Sequence, residues 1–227
     1  GIRRRRDNGG AQVDYARANL ASTFVNAFVN DGFGVDKLMT VDDDDWLYKN
    51  KDHGMMSATA SLGSIHMWSV EEGLTQIDKY LYSSEEYVKA GAALAVGILS
   101  SGVRNDADPA LALLAEHIEG DSHIMKCAAC TGLGIAYAGS GREEIVELLM
   151  MVIDSENTGP EAMMECSLAG LALGMICIGK CDEDVGSSLV QKLMEASDQD
   201  LDHSHARYLC LGLGLLFLGK MEKADAM

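Results

Sequence analysis

At 227 residues, 48% hydrophobic and with a formal net charge of −17, the chain has apolar mass enough for a packed core. It has no basic face to displace counterions from a phosphate backbone, so nucleic acid is excluded as a partner and basic protein surfaces are favoured. No apolar run reaches the ~18 residues of a membrane span and no signal peptide opens the chain, which sets the expectation of a soluble, intracellular protein without a membrane role.

Two prolines and 6% aromatics, against abundant Ala, Leu, Met and Gly, predict an almost wholly α-helical chain whose helices pack through small side chains. Residues 1–12, with the arginines Arg3 to Arg6, read as a flexible N-terminal segment, and the lack of an initiator methionine reads as a fragment. Residues 13–52 read as a leading helix and an acidic loop. From Val13 to Asn30 the residues Tyr15, Ala18, Ala21, Phe24, Val25, Phe28 and Val29 recur at three- and four-residue spacings and make one helix face, which Gly32 and Gly34 end. The acid run Asp42 to Asp45 lacks the alternation and the glycine of a calcium loop, so it is expected to be a solvated loop pinned to the rest by Trp46.

Residues 53–227 read as a repeat array of about four and a half copies, part of one larger domain. An anchor glycine recurs at Gly63, Gly97, Gly134, Gly174 and Gly214, and a second glycine follows five residues later at Gly102, Gly139, Gly179 and Gly219, with Trp68 in that place in the first copy. A period of this size predicts stacked supersecondary units. Helix A is expected over 53–67, 89–99, 125–138, 164–178 and 205–218, and helix B over 71–81, 109–119, 143–153 and 184–196. Glycine inside a helix costs about 1 kcal/mol against alanine, so the anchors imply close packing of neighbouring A helices, while the second glycines turn the chain into helix B. Asp108 before Pro109 reads as an N-cap.

No residues assemble a catalytic site, and neither a cofactor nor a metal is expected. Cys127 and Cys130 form a CxxC, but Cys166, Cys177, Cys181 and Cys210 are scattered at small-residue positions, so all six read as reduced core thiols. The histidines share no spacing with a nucleophile and read as surface or cap groups. Gly132-x-Gly134 lacks the strand and the spacing of a dinucleotide loop. The alternative from another class is a metal-binding helical-repeat protein using Cys127, Cys130 and Asp42 to Asp45.

These repeats resemble the proteasome/cyclosome repeat. The strings Trp46-Leu-Tyr-Lys-Asn-Lys-Asp-His-Gly-Met55, Gly73-Leu-Thr-Gln-Ile-Asp-Lys-Tyr-Leu-Tyr-Ser-Ser84, Ser101-Gly-Val-Arg-Asn105 and Asp108-Pro-Ala-Leu-Ala-Leu-Leu114 are similar to the non-ATPase receptor subunits of the proteasome regulatory particle base, over about Gln12 to Met227. The resemblance implies an α-solenoid that is an arc of a toroid and a noncatalytic scaffold that works in cytoplasm and nucleus. It implies as partners the proteasomal ATPase subunits, other regulatory particle subunits, and ubiquitin or the ubiquitin-like domains of shuttle proteins. Carried onto this sequence, the ubiquitin-receiving surface falls on Cys181 to Glu195: Asp184 and Glu195 match family acids, Gln191 stands where another acid is expected, and Pro160 replaces a loop acid that the adjacent Glu161 can restore. The contrary expectation is that Asp184 merely caps helix B and Glu195 is solvated; a further alternative is that the segment is purely structural.

Overall fold

The computed structural model describes residues 8–41 and 45–220. Arg3 to Arg6 and Asp42 to Asp44 lie outside the described residues. All regular elements among the described residues are α-helices, and the fold class is all-α, built of helix–turn–helix repeats of the solenoid kind. The A helices are α3 (His53–Ile65), α5 (Glu86–Leu99), α7 (His123–Ala136), α9 (Pro160–Ile176) and α12 (Arg207–Leu216); the B helices are α4 (Val70–Leu81), α6 (Pro109–Ile118), α8 (Glu143–Ile153) and α10 (Glu183–Glu195). They are preceded by α1 (Asn8–Val29) and the short α2 (Asp45–Tyr48), and α11 (Asp198–Asp202) lies between α10 and α12. The chain divides into two compact units, residues 1–95 and 96–227.

Several elements differ from the sequence reading: α1 starts at Asn8, within the segment read as flexible, the short α2 stands where the reading has a loop, and α5 starts at Glu86 and not at Lys89. Helices α9 and α11 differ for reasons the local sequence supplies. Helix α9 begins at Pro160 and not at Met164: Gly159 turns the chain at φ 104, and proline suits the first helical position because it lacks only an N–H that would have had no partner there anyway. Helix α11 lies between the expected helices 184–196 and 205–218, where the reading places no element, because the Ser197 hydroxyl accepts the Asp200 N–H at 3.2 Å and nucleates a turn.

In the first unit, α1 packs on α3 with its polar side inward. Thr23, Asn26, Ala27 and Asn30 are buried, whereas Phe24, Val25, Phe28 and Val29, the apolar face visible in the sequence, are exposed. The buried side serves the segment that follows. The Asn26 amide donates to Asp36 at 2.8 Å and its oxygen accepts the Lys37 N–H at 3.2 Å; Trp46 donates its indole N–H to Thr23 at 3.2 Å; and Asn19 donates to the Lys49 carbonyl at 3.0 Å. Trp46 is thus anchored to α1. Burial would raise the Asp36 carboxyl, yet the N–H groups of Leu38, Met39 and Thr40 and the Asn26 amide outweigh that and hold it below its ordinary value.

In the second unit the A helices α7, α9 and α12 are joined at two levels. Within the helices the anchor glycine of one copy sits against the residue two before the anchor of the next: a Cβ on Gly134 would lie 2.8 Å from the Ala172 Cβ, and one on Gly174 would lie 2.5 Å from the Gly212 Cα. Gly97 makes the same approach to Gly132, with 2.5 Å to its carbonyl oxygen. At the helix ends the second glycine enters the left-handed region, φ 74 at Gly139 and 66 at Gly179. That conformation aims its N–H at the neighbouring copy: Gly139 donates to the Met175 carbonyl at 2.9 Å and Gly179 to the Leu215 carbonyl at 3.0 Å. Gly32 donates to the Ser64 carbonyl at 3.0 Å in the first unit, so α1 ends in the same device. The B helices supply the rest of the core with Ile145, Leu149 and Ile153 of α8 and Leu189 of α10, each fully buried and worth about 1.5–3 kcal/mol.

Asp108 is the N-cap residue of α6, but its carboxylate does not cap. It accepts instead from the Tyr137 hydroxyl and from the Arg142 guanidinium, which also pairs with Glu144 at 3.0 Å and lies 5.1 Å from the Tyr137 ring centre. The Tyr137 oxygen in turn accepts the Leu111 N–H at 3.0 Å, so a phenol does the capping. Burial would raise the Asp108 carboxyl, but Tyr137 and Arg142 outweigh it and hold it below the ordinary 3.8. A carboxyl depressed by folding contributes stability above its unfolded value that disappears as pH falls through its folded value. Asp108→Asn is therefore expected to cost stability near neutrality and to flatten the loss of stability below about pH 4, read as thermal midpoint against pH.

Candidate protein-docking site

Helix α10 is the element that carries the site residues named from the sequence. Asp182 starts it by accepting the Val185 N–H at 3.1 Å, and Glu183 and Asp184 occupy the first turn, where negative charge suits the helix dipole. Val185, Gly186 and Leu189 are buried and fix the inward face. The 3.6-residue period then places Asp184, Ser187, Gln191, Met194 and Glu195 along the opposite, exposed stripe. The N-cap is Asp182 and not Asp184, which stands in the first turn, while Glu195 is exposed, as the contrary expectation has it.

Gln191 donates its side-chain amide to Glu195 at 2.7 Å, so these two act as one polar group at the end of the stripe. Beside them Met194 is 81% exposed, more than any other large apolar side chain among the described residues. Sequence reading of the acids passed over Met194. Its signal was its place three residues after Gln191, where an amphipathic helix turned by Val185 and Leu189 leaves an apolar side chain in water. Glu161 is exposed in the first turn of α9 and makes no hydrogen bond or ion pair with α10 among the described residues. Its neighbours Gly159 and Ala162 line the same cleft as Gln191 and Glu195.

The other side chains singled out in the sequence are placed as follows. Cys127 and Cys130 are buried core residues; burial pushes the Cys127 thiol up to about 12 and the Cys130 thiol well above the usual thiol range, so both stay protonated, whereas ligation needs a thiolate. Among the described residues no group of three or more His, Cys, Asp or Glu could hold a metal ion. Cys210 and Cys181 depart from the expectation of core thiols: Cys210 is exposed on α12 and Cys181 is half-buried. His66 is the C-cap of α3 but is buried, and His123 at the start of α7 is 2.8 Å from Glu165 of α9, which also pairs with Lys126 at 3.4 Å. No helix among the described residues is long and apolar enough to cross a membrane.

The family model for the proteasome/cyclosome repeat matches residues 57–90 and 128–161, two stretches that each run from the body of an A helix through helix B to the start of the next A helix. The chain belongs to the proteasome/cyclosome repeat family. Within it, the chain is similar to the 26S proteasome non-ATPase regulatory subunit 2 of Dictyostelium discoideum, 47% identical over 220 residues that are 96% of this chain and 24% of that protein. It is also similar to subunit 2 homolog A of Arabidopsis thaliana, 47% identical over 97% of this chain and 25% of that protein. The chain therefore spans about a quarter of the length of these relatives. Subunit 1 of Drosophila melanogaster is 27% identical over 92% of this chain, which sets the chain on the subunit 2 side of the family.

Proposed function

We propose that this chain is part of a noncatalytic scaffold and receptor of the proteasome regulatory particle, working in cytoplasm and nucleus, with α10 as a docking face for ubiquitin or a ubiquitin-like domain. The observation that carries the receptor reading is the uncovered stripe in which Asp184 and Glu195 flank the exposed Met194. A partner with an apolar patch inside a basic rim meets both parts of it: Met194 supplies a flexible apolar contact and the carboxylates supply the complementary field. The repeat helices supply the rigid support, through the glycine contacts and turn hydrogen bonds that fix α9 and α12 against one another. Docking to the proteasomal ATPase subunits and to other regulatory particle subunits is proposed for surfaces outside this stripe.

Titration of the isotope-labelled chain with ubiquitin, followed by amide shifts, tests the reading. Changes are expected along 183–195. Asp184→Lys combined with Glu195→Lys should weaken binding about tenfold or more, with a larger loss at low salt than at high salt. Unchanged amides along α10 at saturating ubiquitin would sink the receptor assignment.

A further inference from the structure

Between the α8–α9 loop and α10 lies a cleft of about 360 Å³, and Gln191 and Glu195 of the docking stripe form part of its rim. Its floor is apolar, with Val152, Ile153, Met163 and Cys166 all buried. Its walls carry Asp154 and Glu156 from the loop, Glu195 from α10 and Asp200 from α11. Glu165, deeper in, is already matched by His123 and Lys126. The wall carboxylates are not matched: Glu195 accepts from Gln191 and Asp200 from the Ser197 hydroxyl, both neutral donors, and none of the four is in an ion pair among the described residues. Lys192 lines the cleft, but its ammonium donates to the Ser155 carbonyl at 2.9 Å.

The arrangement selects among cations. The carboxylates come from three separate elements and are not grouped to hold a metal ion, so a compact divalent ion finds no ligand set. A cation with a long apolar stem and a wide, flat head fits both features, with its methylenes on the apolar floor and its donors spread toward separate walls. We propose that the cleft receives an arginine side chain of a docked protein, next to the contacts made by Met194 and Asp184. The guanidinium offers five N–H donors in a fixed fan, where an ammonium offers one point of charge. The inference rests on the docking reading for bringing a partner to this face, and not on that partner being ubiquitin.

The experiment uses the labelled 227-residue chain and a capped Gly-Gly-Arg-Gly-Gly peptide, with the citrulline and lysine peptides as controls. Weak binding is expected with amide shifts at 154–159, Met163 and Lys192, at least about tenfold weaker with citrulline, which keeps the shape and loses the charge. Glu156→Gln, a change at an exposed loop residue, should weaken the arginine peptide several-fold and leave the thermal midpoint unchanged. Equal binding of the citrulline or the lysine peptide, or shifts confined to residues outside the cleft, overturns the assignment. A parallel ubiquitin titration separates the two readings. Ubiquitin shifts on α10 without any arginine response remove the cleft and leave the docking face; an arginine response in the cleft without ubiquitin shifts removes ubiquitin as the partner and leaves the cleft.

Discussion

Gly174→Ala is expected to lower the stability of the repeat array by about 2–3 kcal/mol, whereas Gly214→Ala, the same position one copy later, is expected to raise it by up to about 1 kcal/mol. Both glycines are helical, and alanine would improve the helix propensity of either by about 1 kcal/mol. They differ in what a Cβ would meet. At Gly174 it would lie 2.5 Å from the Gly212 Cα and 2.7 Å from its carbonyl carbon, backbone atoms that move only if α9 and α12 separate. At Gly214 nothing among the described residues lies within 4 Å. Overpacking of a rigid contact costs about 1–3 kcal/mol and more where backbone must shift, so the clash outweighs propensity at the first site and is absent at the second. Chemical or thermal unfolding of the two variants followed by circular dichroism decides it. If both shift the midpoint in the same direction, the anchor glycines are not kept for interhelical contact.

Glu165→Leu alone is expected to destabilise the chain by about 3 kcal/mol, and Glu165→Leu with Lys126→Met to recover at least half of that. The Glu165 side chain is 12% exposed and Lys126 is 17% exposed, so the pair sits where water only partly screens it. Removing the carboxylate strands the Lys126 ammonium and takes from His123 its 2.8 Å partner. Replacing both charges by apolar groups of similar size removes the stranded charge, and such exchanges are often neutral or better. The contact also ties α7 to α9 in their first halves, while Gly134, within the last turn of α7, and Gly139, just beyond it, hold them toward their ends. A double variant no more stable than the single one would mean that Glu165 acts through His123 and not through Lys126.

Much of the fold was legible in the sequence because it rests on local signals repeated at a fixed period. Helix α8 begins at Glu143 and ends at Ile153, as read from its apolar face and first-turn acids, and the second glycines mark the turns because few residues other than glycine reach positive φ cheaply. Trp68 does so in the first copy at φ 72, held beside Gly32, a detail no local rule supplies. Asp108 reads as a cap by residue type, yet its carboxylate is claimed by Tyr137 and Arg142 from the following copy, a competition that spacing along the chain cannot express.

The sequence by itself determined the all-α class, the repeat period and the glycine positions, since each follows from propensity or periodicity within a few tens of residues, whereas the acids of α10 were singled out by the family resemblance. Only the tertiary structure decided which faces were covered. It turned α1 so that Asn26 and Thr23 serve the segment that follows and Phe24 and Phe28 face water. It also gave the cap of α10 to Asp182, left Met194 uncovered beside Glu195, and placed the α8–α9 loop across from them to enclose a cleft. The physical reason for the covered faces is that burial is set by the neighbour an element meets, and a neighbour beyond the element itself, such as Asp36 for Asn26 or Ser155 for Lys192, leaves no mark on local hydrophobic pattern.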